Sequence, residues 1–299
     1  MTTDYSDDES SDDSSDDSSG ESHDDLAEAL RRDWRERGPS WDRWADHIAE
    51  LADRLNQPLI DAAGIAPGDE VLDLASGAGE PALSVARRVG PEGSVVATDL
   101  VPEMLAGAKR RASEAGVDNI RFELADMTDL PFPAGRFSHA TCRFGIMFVP
   151  DAGAAMREIR RVLRPGGRAA LLVWGPIEDV TVFRVLDEVV GRELGTSIAD
   201  RPFTPFRFGA AGALGALFEE AGFVDVEERE LRFSPKVPLG RPFWRPNLEM
   251  SFGSRLRDLS DDEREALDRK IAQAFAAFSD GEVYRLESHV RLGLGTAPA

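Results

Sequence analysis

Cysteine, lysine and long apolar runs are scarce in this chain of 299 residues. Cys142 is the single cysteine, which excludes an internal disulfide and any zinc or iron–sulfur site built from cysteines. No apolar run approaches the roughly 18 residues that span a bilayer. The amino terminus lacks the basic and apolar regions of a signal peptide. We therefore expect a cytoplasmic protein without a membrane span.

Positive charge is also in deficit, and the net charge is −20. Residues 1–25 contain eleven acids and no lysine or arginine, so about half of the excess negative charge lies there. This Ser/Asp segment has too few apolar side chains to offset the entropy of ordering, and we expect a disordered acidic tail. A chain with this large excess of negative charge is a poor candidate for binding nucleic acid.

The segment 71–82, VLDLASGAGEPA, predicts a strand, a tight turn and the start of a helix. Apolar residues surround Asp73, which is typical of a buried parallel strand with one acid near its carboxyl end. The following residues, Ser76–Gly79, have small side chains or none, so a ligand can approach the backbone. Pro81 suits the first turn of a helix. The pattern predicts a ligand cradle, with an ordinary strand-to-helix turn as the alternative.

Two further acids follow predicted strands. The strand over 94–98 is followed by Asp99, twenty residues after Gly79, where an acid can accept hydrogen bonds from ribose hydroxyls. The strand over 119–124 is followed by Asp126 and Met127, which could bind an adenine amino group and cover the ring. A helix-capping or turn role is the alternative for both acids.

The alternation of strands and helices predicts an α/β fold with right-handed crossovers and a doubly wound parallel sheet. Tryptophans in the helical segment before the first strand could anchor the core or form a lid over an apolar substrate. Aromatic insertions at about 176–208 and 239–280 could cover the cofactor. We divide the chain into an acidic tail (1–25), amino-terminal helices (26–65), a cofactor-binding core (66–175), and the end of the sheet with the insertions (176–299).

Four motifs occur in the order of a known family: VLDLASGAGEPA, the strand end at Asp99, ADMTDLPFP at 125–133 and LRPGG at 163–167. Together they resemble the class I S-adenosylmethionine-dependent methyltransferases, in the branch of the ubiquinone and menaquinone biosynthesis methyltransferases. This resemblance implies a Rossmann-like, mostly parallel seven-stranded sheet whose antiparallel last strand we place at 284–294. It also implies S-adenosyl-L-methionine as cofactor and a small hydrophobic or aromatic molecule as methyl acceptor.

The resemblance implies a cofactor site at the carboxyl ends of the strands. The residues that it assigns to the methionine part and the transferred methyl are Asp73, Ala75, Ser76, Gly77, Gly79, Arg143 and Phe144. Those that it assigns to adenosine are Asp99, Leu100, Met104, Asp126 and Met127. Quinone methyltransferases have an arginine–asparagine pair after the fourth strand, and this chain departs from it with Phe144.

Two alternative functions fit parts of the sequence. Gly77-x-Gly79-x-x-Ala82 with Asp99 also satisfies the fingerprint of an NAD(P)-dependent oxidoreductase, although Asp126-Met127 has no required role there. A non-catalytic cofactor-binding protein is the second, and the intact acids at the strand ends argue against it.

No catalytic residue is predicted, and no metal ligand. His47, His139 and His289 are the side chains that could act as bases near neutral pH. We expect a structural role for each of them.

Overall fold

The computed structural model describes residues 23–200 and 203–299, so most of the predicted acidic tail lies outside the described residues. The first helix begins at His23, three residues before the predicted start. The helices of the described part are α1 (His23–Arg43), α2 (Ala45–Ala63), α3 (Ala82–Val89), α4 (Pro102–Glu114), α5 (Ala152–Val162), α6 (Thr181–Leu194), α7 (Ala213–Glu220), α8 (Arg245–Leu256) and α9 (Asp261–Phe275). Its strands are β1 (Glu70–Leu74), β2 (Ser94–Asp99), β3 (Ile120–Leu124), β4 (Phe137–Arg143), β5 (Leu163–Trp174), β6 (Val224–Phe233), β7 (Lys236–Pro238), β8 (Val283–Arg285) and β9 (Ser288–Thr296).

The main sheet has seven strands in the order β3-β2-β1-β4-β5-β9-β6. Strands β1 to β5 are parallel, and β9 runs antiparallel to both β5 and β6. The predicted doubly wound, mostly parallel sheet is therefore confirmed. The strand order reverses between β1 and β4, and ligands of open α/β sheets bind outside the carboxyl ends of the strands at such a point.

The predicted last strand over 284–294 is two strands in the structure. β8 pairs with β7 in a separate two-stranded sheet, and β9 begins at Ser288. The residues between them turn inward: Leu286 is buried, and the Glu287 N–H donates to the Thr181 hydroxyl at 2.9 Å instead of to a neighbouring strand. This contact between distant parts of the chain breaks the strand where the local sequence shows no break.

The LRPGG segment has a proline and two glycines, which is typical of a helix end, but in the structure it belongs to β5. The pairing of β4 with β5 shifts register between Phe137 and His139, which marks a β-bulge. Gly166 has a φ of 75°, and a Cβ on Gly167 would lie 3.0 Å from the Ser138 carbonyl oxygen. The two glycines therefore allow the chain to enter the sheet directly from α5.

Both faces of the sheet are buried. Leu72 and Leu74 of β1 belong to a hydrophobic cluster that includes α5 and α7, whereas Val71 belongs to a second cluster that includes α2 and α3. This alternation follows from the period of two in a strand. Within the described residues no helix is both long enough and apolar enough to cross a membrane.

A third hydrophobic cluster joins α6, α8 and α9 with the β7–β8 pair, and we call these elements the cap. Helix α8 was not predicted; it begins at Arg245, with Pro246 in its first turn, where proline is tolerated. The indole of Trp244 stacks on Phe275 at 5.6 Å between ring centroids. Trp174, the last residue of β5, packs against all three clusters, so the cap meets the sheet at this side chain.

Candidate cofactor site

The predicted site residues lie on neighbouring segments along one edge of the sheet, at or just after the carboxyl ends of β1 to β4. Backbone hydrogen bonds connect these segments. The Ser76 N–H donates to the Thr98 carbonyl at 2.9 Å, and the Ala125 N–H donates to the Asp99 carbonyl at 3.1 Å. The fold thus brings together residues that the sequence spreads over seventy positions.

The loop after β1 takes a conformation that L-residues rarely adopt. Ala75, Gly77 and Gly79 have φ values of 51°, 53° and 107°. A Cβ on Gly79 would lie 3.1 Å from Leu83, so the loop also packs closely on α3. The Gly77 N–H donates to Asp99 Oδ2 at 2.9 Å, which fixes the loop to the end of β2.

The methyl of Ala75 has room against the loop after β4 because the residue after Phe144 is a glycine. A Cβ on Gly145 would lie 2.4 Å from the Ala75 Cβ and 2.8 Å from the Cys142 sulfur. Real Cβ atoms do not approach so closely. The loop after β1 and the loop after β4 therefore depend on each other sterically.

Asp73 is fully buried on the central strand. The Thr141 hydroxyl donates to its Oδ1 at 2.6 Å, whereas Oδ2 is buried without a partner among the described residues. Burial raises the pKa of Asp73 from 3.8 to about 7, although the Thr141 hydrogen bond and the charge of Arg143 lower it. An unpaired buried acceptor costs about 1–3 kcal/mol, so this oxygen is prepared to receive a donor.

A second buried polar atom, Nε of Arg143 at the end of β4, also has no hydrogen-bond partner within residues 23–200 and 203–299. Burial lowers the pKa of Arg143, while the charges of Glu80 and Asp73 raise it. A carboxylate acceptor and a guanidinium donor, each with an unused hydrogen-bonding position, match the ammonium and carboxylate of an amino-acid group. The side chains present therefore fit the methionine part of S-adenosylmethionine.

Asp99 is partly buried, and its carboxylate accepts hydrogen bonds from the backbone of the loop after β1 and of the residues that follow β2. Its Oδ2 accepts from Gly77 and its Oδ1 accepts from the Val101 N–H at 3.0 Å. Burial raises the pKa of Asp99 to about 6, and these backbone hydrogen bonds lower it. An ionised carboxylate offers about four acceptor positions, so two remain for the hydroxyls of a ribose.

The carboxylate of Asp126 is engaged on both oxygens. Thr128 donates to Oδ1 through its N–H at 2.9 Å and its hydroxyl at 2.7 Å. Arg31 of α1 donates to Oδ2 at 3.3 Å. The next residue, Met127, packs against the core at this end of the sheet. An adenine amino group that binds Asp126 would have to share Oδ2 with Arg31 or displace it.

Helix α1 lies across this edge of the sheet. Met104 is buried in α4 and Leu100 is partly buried just before it. A Cβ on Gly38 of α1 would lie 3.6 Å from the Glu103 Cβ, so α1 packs closely on the start of α4. Leu100 and Met104, two of the residues that the resemblance assigns to adenosine, are therefore near the helix that covers the site.

Two of the amino-terminal tryptophans form part of this cover. The Trp34 ring meets Phe148 edge-to-face at 5.0 Å and lies 5.8 Å from the Trp41 ring. The Trp41 indole N–H is buried without a partner among the described residues. These contacts fit both roles expected for the tryptophans, which are to cover the site and to anchor α1 by packing against the protein.

The histidines do not supply an accessible base in the described part of the chain. His139 lies in the amino half of β4, and burial lowers its pKa. The buried ring of His289 has Nδ1 at 2.9 Å from Asp179 and Nε2 at 3.3 Å from Glu230. The side chain of His47 lies outside the described part. Among the described residues no group of three or more His, Cys, Asp or Glu could hold a metal ion.

Three contributors were missed from the sequence: Arg31, Thr141 and Trp174. A threonine within an apolar strand next to the strand of Asp73 is a signal that could have identified Thr141. Trp174 is the last residue of a strand, and the predicted site residues also lie close to strand ends, so its position is a signal that could have identified it. Nothing in the local sequence distinguishes Arg31 from the other arginines of α1.

Comparison with known proteins gives the class of the protein. A model of the methyltransferase domain family matches residues 71–167. The same fold is found in phosphoethanolamine N-methyltransferase 2 of Haemonchus contortus, whose structure contains phosphomonomethylethanolamine and S-adenosylhomocysteine. The TM-score is 0.52 and the sequence identity is 18%, over 82% of this chain and 53% of that one. The chain therefore contains a methyltransferase domain with a Rossmann-like fold, and S-adenosyl-L-methionine is the cofactor of this class.

Sequence relatives narrow this class. The ubiquinone/menaquinone biosynthesis C-methyltransferase UbiE of Cupriavidus necator is 35% identical over 184 residues, which cover 56% of this chain and 72% of that protein. UbiE of Idiomarina loihiensis is 37% identical over 43% of this chain and 51% of that protein, so this match spans about half of the relative's length. The chain belongs to the class I S-adenosylmethionine-dependent methyltransferases, in the UbiE-like branch. The comparisons give no support to an oxidoreductase or to a non-catalytic binding protein.

We expect Gly145→Ala to destabilise the protein by about 1–3 kcal/mol, because the new methyl overlaps the methyl of Ala75. Adding Ala75→Gly to this variant should restore part of the loss. Gly253→Ala in α8 is the matched control, since its Cβ would meet only the Ser40 hydroxyl, at 4.0 Å. Urea unfolding of the wild type, Gly145→Ala, Ala75→Gly and the double variant gives the coupling free energy, and a Gly145→Ala variant as stable as the Gly253→Ala control would contradict the prediction.

We expect Asp73→Asn to raise stability above pH 7 while it weakens cofactor binding. Asp73 holds its proton more tightly in the folded protein than in the unfolded chain, so its ionisation lowers the free energy of unfolding as pH rises from about 4 to 7. The amide removes this cost, and the variant should be roughly 1–3 kcal/mol more stable at pH 8. Chemical denaturation at pH 5 and pH 8 tests this; an unchanged pH dependence would show that Asp73 ionises freely.

We expect Arg31→Gln to strengthen the binding of S-adenosylhomocysteine a few-fold, because it frees Oδ2 of Asp126 for the ligand. The ion pair that is lost is partly exposed and contributes only about 0–1 kcal/mol to stability. Added salt should strengthen binding to the wild type and have less effect on the variant. Arg43→Gln, which breaks the ion pair of α1 with Glu249, is the control. Calorimetric titration at two salt concentrations measures both effects, and weaker binding by Arg31→Gln would instead make Arg31 a cofactor ligand.

Proposed function

We propose that this protein transfers the methyl group of S-adenosylmethionine to a ring carbon of a small, quinone-like hydroxylated aromatic acceptor. The observation that carries the proposal is the aromatic pair Phe144 and Trp174, which lies next to Arg143 at the end of the site that would hold the transferred methyl. The names of the relatives, which are quinone-biosynthesis C-methyltransferases, support the same acceptor class. A flat hydrophobic molecule suits such a surface.

The residues predicted for the site divide the work of holding the cofactor. Asp73 and Arg143 would orient the amino-acid end, Asp99 the ribose, and Asp126 with Met127 the adenine. The loop from Ala75 to Gly79 lies between these groups, and its conformation is fixed by the hydrogen bond from Gly77 to Asp99. These contacts set the direction from which the acceptor must approach.

Bound S-adenosylmethionine supplies an electrophilic methyl on a sulfonium. A ring carbon of the acceptor would take this methyl as the sulfur–methyl bond breaks, S-adenosylhomocysteine would leave as the neutral thioether, and the ring carbon would lose its proton to solvent. The chain contributes mainly alignment and the exclusion of water, and positioning alone supplies roughly 7–11 kcal/mol in comparable systems. Aromatic faces beside the sulfonium would also favour its positive charge.

We propose further that the acceptor is not a nucleic acid and that the protein works in the cytoplasm. The net charge of −20 opposes binding to a polyanion. Cys142 is buried and unpaired, which suits a reducing compartment.

Calorimetric titration with S-adenosylhomocysteine tests the cofactor site. We expect binding by the wild type and binding weaker by about ten- to a hundredfold for Asp99→Ala, which removes charge-assisted hydrogen bonds. Asp61→Ala, on the exposed side of α2, is the matched control for loss of an acid. NADH should not bind. Methylation of 1,4-naphthohydroquinone, kept reduced under argon and detected by mass, tests the acceptor class.

Failure of the folded wild type to bind S-adenosylhomocysteine would overturn the proposal. Binding of NADH in its place would favour the oxidoreductase. Binding of S-adenosylhomocysteine without methylation of any hydroxylated ring would overturn the acceptor class alone.

A further inference from the structure

Phe144 has a backbone conformation that is unfavourable for its residue type. Its φ is 59°, in the left-handed region, which costs an L-residue about 1–2 kcal/mol and is rarely adopted by bulky side chains. The Phe144 N–H donates to the Leu172 carbonyl of β5 at 2.9 Å, which holds the backbone in place. Such strain persists only where the surroundings fix it, and it is concentrated at functional sites.

The side chain of Phe144 is fixed by Trp174. The two rings are nearly parallel, with 4.3 Å between centroids and 6° between planes. Phe144 packs against the hydrophobic clusters on both faces of the sheet, and Trp174 packs against these and the cap. Neither ring is fully buried, so part of each remains accessible at the carboxyl edge of the sheet.

The stack continues into the cap. Trp174 meets Phe183 edge-to-face at 5.2 Å, and Phe183 meets Phe206 in the same way at 5.7 Å. On the other side, the Arg143 guanidinium carbon lies 5.9 Å from the centroid of the Phe144 ring. An aromatic surface therefore extends from the residue at the methionine end of the cofactor site to the insertion after β5.

Aromatic rings attract other planar rings through stacking and edge-to-face contacts worth about 0.5–1.5 kcal/mol beyond the area that they bury. The Phe144 side chain itself has no hydrogen-bonding group for a hydroxyl or carbonyl of the acceptor. At this position, recognition must therefore depend on the shape and area of the ring.

We propose that the Phe144–Trp174 stack is the element that selects the acceptor, by packing against its ring plane, and that it favours a fused two-ring system over a single ring. The inference rests on the proposed function, because it assumes that the acceptor binds beside the methionine end of the cofactor. A larger ring buries more apolar area against the stack, at about 25 cal/mol per Å².

The test compares two stable probes, 1-naphthol and phenol, titrated into the complex of the protein with S-adenosylhomocysteine. The wild-type complex should bind 1-naphthol at least about tenfold more tightly than phenol. Phe144→Asn should reduce this ratio at least about fivefold, because asparagine tolerates the left-handed conformation but has no ring to stack. Phe144→Tyr keeps the stack and should retain the ratio.

Phe223→Leu is the matched control, because Phe223 packs edge-to-face on Phe218 of α7 and belongs neither to the stack nor to the cover over the site; it should leave the ratio unchanged. Thermal unfolding of each variant, and its affinity for S-adenosylhomocysteine, shows whether the fold and the cofactor site are intact. If Phe144→Asn does not fold, Trp174→Leu provides the same loss of stacking from the other ring.

Equal ratios in the wild type and the stack variants, with cofactor binding intact, would overturn this inference and leave the proposed function standing. Failure of both probes to bind the wild-type complex would overturn it as well. Failure of S-adenosylhomocysteine to bind the wild type would instead overturn the proposed function.

Discussion

A carboxylate on the central strand is the constraint on which the rest of the site depends. Asp73 is enclosed by β2 on one side and β4 on the other, so its charge is removed from water by the sheet itself. One oxygen is stabilised by Thr141 of the neighbouring strand, and the other has no hydrogen-bond partner in the part of the chain that the structure describes. Hydrophobic residues on both faces of the sheet stabilise the fold enough to offset this cost. The site can therefore retain an acid that a stability-optimised core would not contain.

The elements closest to the cofactor were predictable from the sequence because they depend on local rules. A run of glycines with a proline, and acids at strand ends, are properties of short segments, and the helix that the segment 71–82 predicts does begin at Ala82. The fold class follows from the alternation of strands and helices together with the fixed handedness of their crossovers. The residues proposed to bind the cofactor remain predictions, although the fold places them along one edge.

The differences between prediction and structure arise from contacts between distant segments. LRPGG has the composition of a helix end, but pairing with β4 draws it into β5. The break between β8 and β9 depends on Thr181, about a hundred residues earlier. Arg31 reaches Asp126 only because α1 crosses the sheet edge. No rule that uses a window of ten or twenty residues includes these partners, so these features could not be derived locally.

The raised pKa of Asp73 couples the binding of a cation to the release of a proton. Near neutral pH this carboxyl is divided between its protonated and ionised forms, since its pKa is about 7. An ammonium group that arrives next to it favours the ionised form, so a fraction of a proton leaves for each molecule bound. The heat of binding would then depend on the buffer that accepts this proton, and the apparent affinity would rise with pH until the carboxyl is fully ionised. Asp73, which is proposed to orient the cofactor, would in this way also make the fraction of protein with bound cofactor depend on pH.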